Sequence, residues 1–145
     1  MTEVSFHFNV PDRLGYACRL LRKATRMGAR VAVTAPQEAL NTLDRALWVF
    51  EPTEFVPHVR LAAGIKATPR QGPTPIWLVE QVADAPEHDV LLNLSQQVPA
   101  GFESFARLIE IVSTDDSDRH AARDRWKHYT GRGYAITRHE VGDER

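Results

Sequence analysis

Cysteine is almost absent from this sequence: Cys18 is the single cysteine among 145 residues. One cysteine cannot form an internal disulfide, and it cannot supply the paired thiolates of a Cys-x-x-Cys metal site. The fold must therefore be stabilised by a buried core, which a chain of this length can form as one domain without a metal or disulfide. We expect one reduced, cytoplasmic domain over residues 1–145.

Long apolar runs and the common catalytic motifs are also missing. No apolar stretch approaches the roughly 18–20 residues of a membrane span, and residues 1–5 lack the basic start of a signal peptide. The first predicted turn between strand and helix has no glycine-rich phosphate loop, and no Gly-x-Ser-x-Gly motif is present. The six histidines show no His-x3-His spacing. We therefore expect no catalytic residues, no metal and no cofactor.

The formal net charge of −1 conceals blocks of opposite sign. Residues 13–30 contain six basic residues and no acidic one, whereas residues 71–106 contain five acidic residues and no basic one. Residues 119–134 are basic again, with five basic residues and one acidic residue. Local fields, rather than the total charge, will therefore decide which partners are attracted.

Strand and helix patterns alternate along the chain. Apolar residues at helical spacing follow Asp12 and end near Gly28, and a second helical stripe follows Pro36. A last helix is predicted over residues 118–129, capped by residues 115–117. This order predicts an α/β domain with a parallel sheet and helices on its faces. The predicted strands are 4–8, 30–34, 76–79, 90–94, 107–112 and an edge strand at 134–137.

One group of candidate functional residues lies on the last predicted helix. Arg119, Arg123 and Lys127 recur every four residues and therefore share one face. Trp126 stands at the edge of that face, and an aromatic ring beside three cations suits a short acidic ligand with its own apolar anchor. The alternative is a solvated basic face with Trp126 turned into the core.

A second group lies at the end of the second helix and in the irregular segment that follows. Trp48 is followed by Phe55, Val56 and Pro57. Exposed aromatic residues in such a segment would mark a protein interface. The alternative is that Trp48 and Phe55 fill the core beneath the sheet.

Several of these segments together resemble the chi subunit of bacterial DNA polymerase III. The resemblance covers nearly the whole chain and implies a single Rossmann-like, three-layer α/β domain with a mainly parallel sheet and helices on both faces. It also implies an accessory protein without enzymatic activity of its own. The matching segments are Gly28–Val31, Leu43–Trp48, Phe55–His58, Asp116–Ser117, Ala122–Tyr129 and Gly133–Tyr134.

The resemblance implies two partners within the replication machinery. The first is the acidic C-terminal tail of single-stranded DNA-binding protein, which ends in Pro-Phe with a free carboxylate. Arg123 would take a carboxylate, and Arg119 and Lys127 would attract acidic residues. Val112 and Trp126 would form the apolar wall around the phenylalanine ring. Trp126 stands where the family also has tyrosine, so it keeps the stacking surface without the hydroxyl.

The second implied partner is the small psi subunit, which would form a 1:1 heterodimer with this chain and link it to the clamp loader. Trp48, Phe55, Val56 and Pro57 fall on the surface through which chi proteins contact psi, and a repair helicase can use the same surface. DNA would then be contacted only indirectly. The competing hypothesis is direct binding of single-stranded nucleic acid by residues 13–30 and the last helix, although Tyr16 is the only stacking platform in the first helix.

Overall fold

Short aliphatic and β-branched runs form the strands of a seven-stranded sheet in the computed structural model, which describes residues 1–49, 56–64 and 74–141. Amphipathic segments between these runs form three α-helices, and two short 3-10 turns cover Val82–Asp84 and Phe102–Ser104. The elements are β1 (Glu3–Val10), α1 (Arg13–Arg26), β2 (Val31–Thr34), α2 (Gln37–Val49), β3 (His58–Leu61), β4 (Ile76–Val79), β5 (Val90–Asn93), β6 (Arg107–Ser113), α3 (Asp116–Gly131) and β7 (Ile136–Glu140).

The strands are arranged in the order β3-β4-β2-β5-β6-β1-β7, and every neighbouring pair is parallel. The prediction of a mainly parallel sheet is confirmed. The first strand lies between two late ones, because Val4 is in register with Leu108 of β6 on one side and with Ile136 of β7 on the other. The predicted edge strand at 134–137 is β7, which begins two residues later.

Helices cover both faces of the sheet, as expected. Helices α1 and α2 bury their apolar stripes, including Leu21 and Leu43, in one core on the first face. Helix α3 packs Ala122 and Tyr129 into a second core on the opposite face. The result is the three-layer α/β architecture of a Rossmann-like domain. None of the described helices has both the length and the hydrophobicity of a membrane-spanning helix.

The predicted caps at Asp12 and Asp115 and the glycine after α1 are confirmed, whereas α3 extends two residues beyond the predicted range 118–129 at each end. The Asp12 carboxylate accepts a hydrogen bond of 3.1 Å from the Gly15 N–H and caps α1. Gly28 follows α1 with a φ of +77°, a left-handed conformation that favours glycine. The Asp115 carboxylate caps α3 by accepting from the Asp118 N–H at 3.2 Å.

The segment after α2 differs from the prediction of an irregular middle. Residues His58–Leu61 form β3, which pairs with β4 at the edge of the sheet. Prolines lie on both sides of this four-residue run, and they obscured a strand too short to show clear alternation.

Candidate functional site

A surface cleft of about 500 Å³ lies between helix α3 and the edge of the sheet formed by β1 and β7. Its base is formed by the carboxyl ends of β1 and β6, where open α/β sheets commonly bind their ligands. Four residues predicted for the first candidate site line it together. The lining residues are Phe6, Phe8, Asn9, Val112, Arg119, Ala122, Arg123, Trp126, Arg138 and Glu140.

The floor of the cleft is apolar. Phe6, Val112 and Ala122 are buried and present their side chains between α3 and the sheet. Trp126 is half-buried, and its ring meets that of Phe6 edge to face, with 5.1 Å between ring centroids. Trp126 therefore packs partly into the core and also lines the cleft, so each of the two alternatives for this residue describes part of its position.

Three arginines surround this floor. Arg119 and Arg123 are exposed on α3, and Arg138 extends from β7. Arg119 lies 3.9 Å from Asp116 in an exposed ion pair, whereas no carboxylate among the described residues pairs with Arg123 or Arg138. Glu140 is the one carboxylate among the described lining residues. The cleft therefore carries an excess of positive charge beside an apolar floor.

Lys127 lies outside the lining of the cleft, although it was predicted to share the face of Arg119 and Arg123. It is exposed on α3. Each step of four residues rotates a side chain by about 40° around an α-helix, so two steps move Lys127 by about 80° from Arg119. This drift carries Lys127 to the outer side of the helix.

A buried polar network anchors α3 to the sheet beneath the cleft. The Arg125 Nε donates to Glu110 Oε1 at 3.0 Å, and the Tyr129 hydroxyl donates to Glu110 Oε2 at 2.6 Å. The Asn93 amide donates to the same oxygen at 3.0 Å. Complete burial raises the pKa of Glu110, while these three partners stabilise its charged form. This network was not predicted, because Asn93, Glu110 and Arg125 lie on β5, β6 and α3 and meet only in the folded chain.

The start of α3 is held by Asp118. Its carboxylate accepts from the Ser113 N–H at 2.7 Å and from the Gln96 amide at 2.9 Å, with the Arg13 Nε at 3.9 Å. Partial burial by itself raises the pKa of Asp118, but these hydrogen bonds outweigh it and hold that pKa below its ordinary value. Asp118 is therefore a charged structural anchor for the helix that carries Arg119 and Arg123.

The second candidate site lies at the end of α2, which comes earlier in the chain than α3. Trp48 is 60% exposed, and its ring lies 5.3 Å from that of His58, whose Nε2 is 2.9 Å from Asp44 Oδ1. The side chain of Val56 is buried in the core, and Pro57 is half-buried. Phe55 lies outside the described residues. Among the described residues of this group, Trp48 has the most exposed side chain.

The basic block at residues 13–30 is partly engaged within the molecule. Arg13 is half-buried and donates to the Ile111 carbonyl at 3.1 Å. Arg30 pairs with Glu87 at 2.6 Å. Arg19 lies over the ring of Tyr16, 5.9 Å from its centroid. These contacts use part of the charge that a nucleic-acid backbone would need.

Comparison with known proteins is consistent with this geometry. A family model described as DNA polymerase III chi subunit, HolC, matches residues 1–137. DNA polymerase III subunit chi of Pseudomonas aeruginosa is 32% identical over 147 residues, covering 97% of this chain and 98% of its own. The subunit chi of Haemophilus influenzae is 33% identical over 130 residues, covering 87% of this chain and 85% of its own.

One solved structure shows a likeness of fold alone. The C-terminal domain of Saccharomyces cerevisiae Dbp5, in a structure with Gle1 and IP6, superposes with a TM-score of 0.57 at 11% sequence identity. The match covers 99% of this chain and 92% of that one. At this identity the match supports the α/β architecture and says nothing about ligands.

Proposed function

Because this chain belongs to the DNA polymerase III chi subunit family and is thus a replication accessory subunit, we propose that it binds the acidic C-terminal tail of single-stranded DNA-binding protein. The tail occupies the cleft between α3 and β7, and the chain acts without an active site of its own. The observation that supports this proposal is one cleft whose described lining residues include three arginines, a single carboxylate and an apolar floor.

The terminal phenylalanine of the tail supplies the apolar part of the contact. Its ring packs against Val112, Ala122 and Trp126, and burying one phenylalanine contributes roughly 1.5–3 kcal/mol. Arg123 meets the terminal carboxylate, which adds roughly 1.5–3 kcal/mol for a charge-assisted hydrogen bond. After the cost of association, a dissociation constant near the micromolar level, about −8 kcal/mol, is expected. Such a link can break and re-form as replication proceeds.

Replacing Arg123 with alanine tests this assignment. We expect titration with an acidic peptide ending in Pro-Phe to show binding at least about tenfold weaker, because the carboxylate loses its guanidinium partner. Isothermal calorimetry or fluorescence anisotropy measures the change. Arg45→Ala removes the same charge from an exposed position on α2, outside the cleft, and should bind like the wild type.

A second peptide, lacking the final phenylalanine, tests the apolar floor in the same titration. Equal affinity for the two peptides, or an Arg123→Ala variant that binds like Arg45→Ala, contradicts the proposal. Tight binding of a single-stranded oligonucleotide with a steep salt dependence, together with weak peptide binding, would favour the nucleic-acid hypothesis instead.

The exposed end of α2 is proposed to contact psi, which joins the chain to the clamp loader, or a repair helicase using the same surface. Large exposed aromatic side chains are frequent anchors of protein interfaces. Trp48 is the exposed aromatic residue of this surface among the described residues. The tail cleft and this surface are built from different helices, so both partners can be held at once.

Replacing Trp48 with alanine is expected to weaken binding of psi by about 30-fold or more, which corresponds to the roughly 2 kcal/mol loss of an interface anchor. Because Trp48 is largely exposed, its replacement should change the free energy of unfolding by no more than about 1 kcal/mol. Surface plasmon resonance with immobilised psi measures the effect. Arg123→Ala should bind psi normally, and Trp48→Ala should bind the tail peptide normally. Loss of both activities in either variant would contradict two separate surfaces.

A further inference from the structure

Arg138 also lines the cleft, although it was not among the predicted site residues. It lies on the edge strand β7 and faces helix α3 across the cleft. Its guanidinium carbon is 5.2 Å from the ring centroid of Phe8 and 5.9 Å from that of Trp126. Both distances are within the range of cation–π attraction. These two rings position a positive charge on the sheet side of the cleft.

The contacts of Arg138 leave its hydrogen-bonding capacity unused. A cation–π contact uses the charge of the guanidinium and requires none of its five N–H donors. Among the described residues, none accepts a hydrogen bond from Arg138 or forms an ion pair with it. Salt bridges and hydrogen bonds do engage other arginines, such as Arg30 and Arg125. Arg138 is therefore held in place by aromatic rings with its donors available to a ligand.

A peptide bound in an extended conformation would present acidic side chains to both walls of the cleft. Successive side chains of an extended peptide point in opposite directions, so one wall of positive charge can meet only alternate residues. Arg119 and Arg123 form the wall on α3, and Arg138 is the cation of the wall on β7.

We propose that Arg138 is a further carboxylate-binding residue of the cleft, which holds acidic residues of the tail from the sheet side while Arg119 holds others from the helix side and Arg123 meets the terminal carboxylate. This inference rests on the proposed function, since it concerns the same ligand. It assigns recognition of an acidic peptide to β7 as well as to α3.

The test compares Arg138→Gln with wild type in titrations of two peptides. The first is acidic and ends in Pro-Phe; in the second, the acidic residues are replaced by Asn and Gln while the final Pro-Phe is kept. We expect Arg138→Gln to bind the acidic peptide about tenfold more weakly than the wild type, which is the effect of losing one charge-assisted hydrogen bond. For the neutral peptide the change should be less than about twofold, because only the packing of Phe8 and Trp126 is altered. Arg45→Gln serves as the charge-matched control.

The outcomes separate this inference from the proposed function. An unchanged affinity in Arg138→Gln, alongside weakened binding in Arg123→Gln, overturns the role of Arg138 and leaves the tail cleft intact. An equal loss for both peptides also overturns it, since the effect would then come from packing rather than from charge. If Arg123→Gln binds normally as well, the proposed function itself fails. Thermal unfolding of Arg138→Gln should match the wild type, because the residue is exposed.

Discussion

Replacing Arg125 with methionine is expected to lower the free energy of unfolding by about 3–5 kcal/mol, the usual cost of removing one partner of a buried ion pair. Arg125 and Glu110 are both almost completely buried, and the Arg125 Nε lies 3.0 Å from Glu110 Oε1. Methionine fills much of the space but leaves the Glu110 carboxylate without its cation. Chemical denaturation monitored by circular dichroism measures the loss.

Two further variants test the cause of that loss. Arg123→Met, on the exposed face of the same helix, should change stability by no more than about 0.5 kcal/mol. The double variant Arg125→Met with Glu110→Leu should recover part of the loss, because replacing both partners removes the buried charge. A loss below about 1 kcal/mol in Arg125→Met would contradict a buried ion pair.

The stability deficit of Arg125→Met should also depend on pH. Burial raises the pKa of Glu110, and removing Arg125 takes away the main opposing attraction. In this variant the folded state therefore holds a proton on Glu110 that the unfolded state releases above its ordinary pKa of about 4.3. Stability then falls as the pH rises through the window above that value. We expect the free energy of unfolding of Arg125→Met to lie closer to that of the wild type at pH 5 than at pH 8.

Replacing Phe6 with alanine is expected to have two effects at once. The buried ring contacts those of Trp126 and Tyr129, at 5.1 Å and 6.0 Å between centroids. Its loss should lower the free energy of unfolding by about 3–5 kcal/mol. It should also weaken binding of the Pro-Phe peptide, because the floor of the cleft loses its support for Trp126. Denaturation and peptide titration under folding conditions measure the two effects.

Phe105→Ala is the matched control for this variant. Phe105 is equally buried in the same core, but it precedes β6, whereas the cleft lies at the carboxyl end of that strand. Its ring stacks on His88, with 4.3 Å between centroids. We expect a similar loss of stability with unchanged peptide affinity. Equal weakening of peptide binding in both variants would show that Phe6 acts only through general stability.

Much of the fold follows from local patterns in the sequence. The spacing of apolar residues predicted α1 and α2, and the capping residues 115–117 predicted α3. Asp12, Gly28 and Asp115 marked helix ends correctly. Strand β3 was missed because a run of four residues carries too little alternation to be distinguished from a loop. Its place in the sheet depends on pairing with β4, which is a tertiary contact.

The candidate site was predictable where its residues share one helix. Arg119, Arg123 and Trp126 were recognised from their spacing on α3, whereas Arg138 reaches the cleft from a separate strand. Its position follows from the pairing of β7 with β1, which no local pattern reveals. Arg125 lies on the same helix as the predicted residues, yet its role was not predicted. A charged residue in a basic helix gives no local sign that it pairs with a buried glutamate.

The position of β1 between β6 and β7 also sets a time order for the molecule's assembly. Strand β1 is made first, but its partners on both sides come from residues more than 100 positions later. Pairing of such distant segments is intrinsically slow to form. The cleft contains residues from β1, β6, α3 and β7, so it cannot exist on a partly synthesised chain. Only a chain whose synthesis has passed β7 can form the complete cleft.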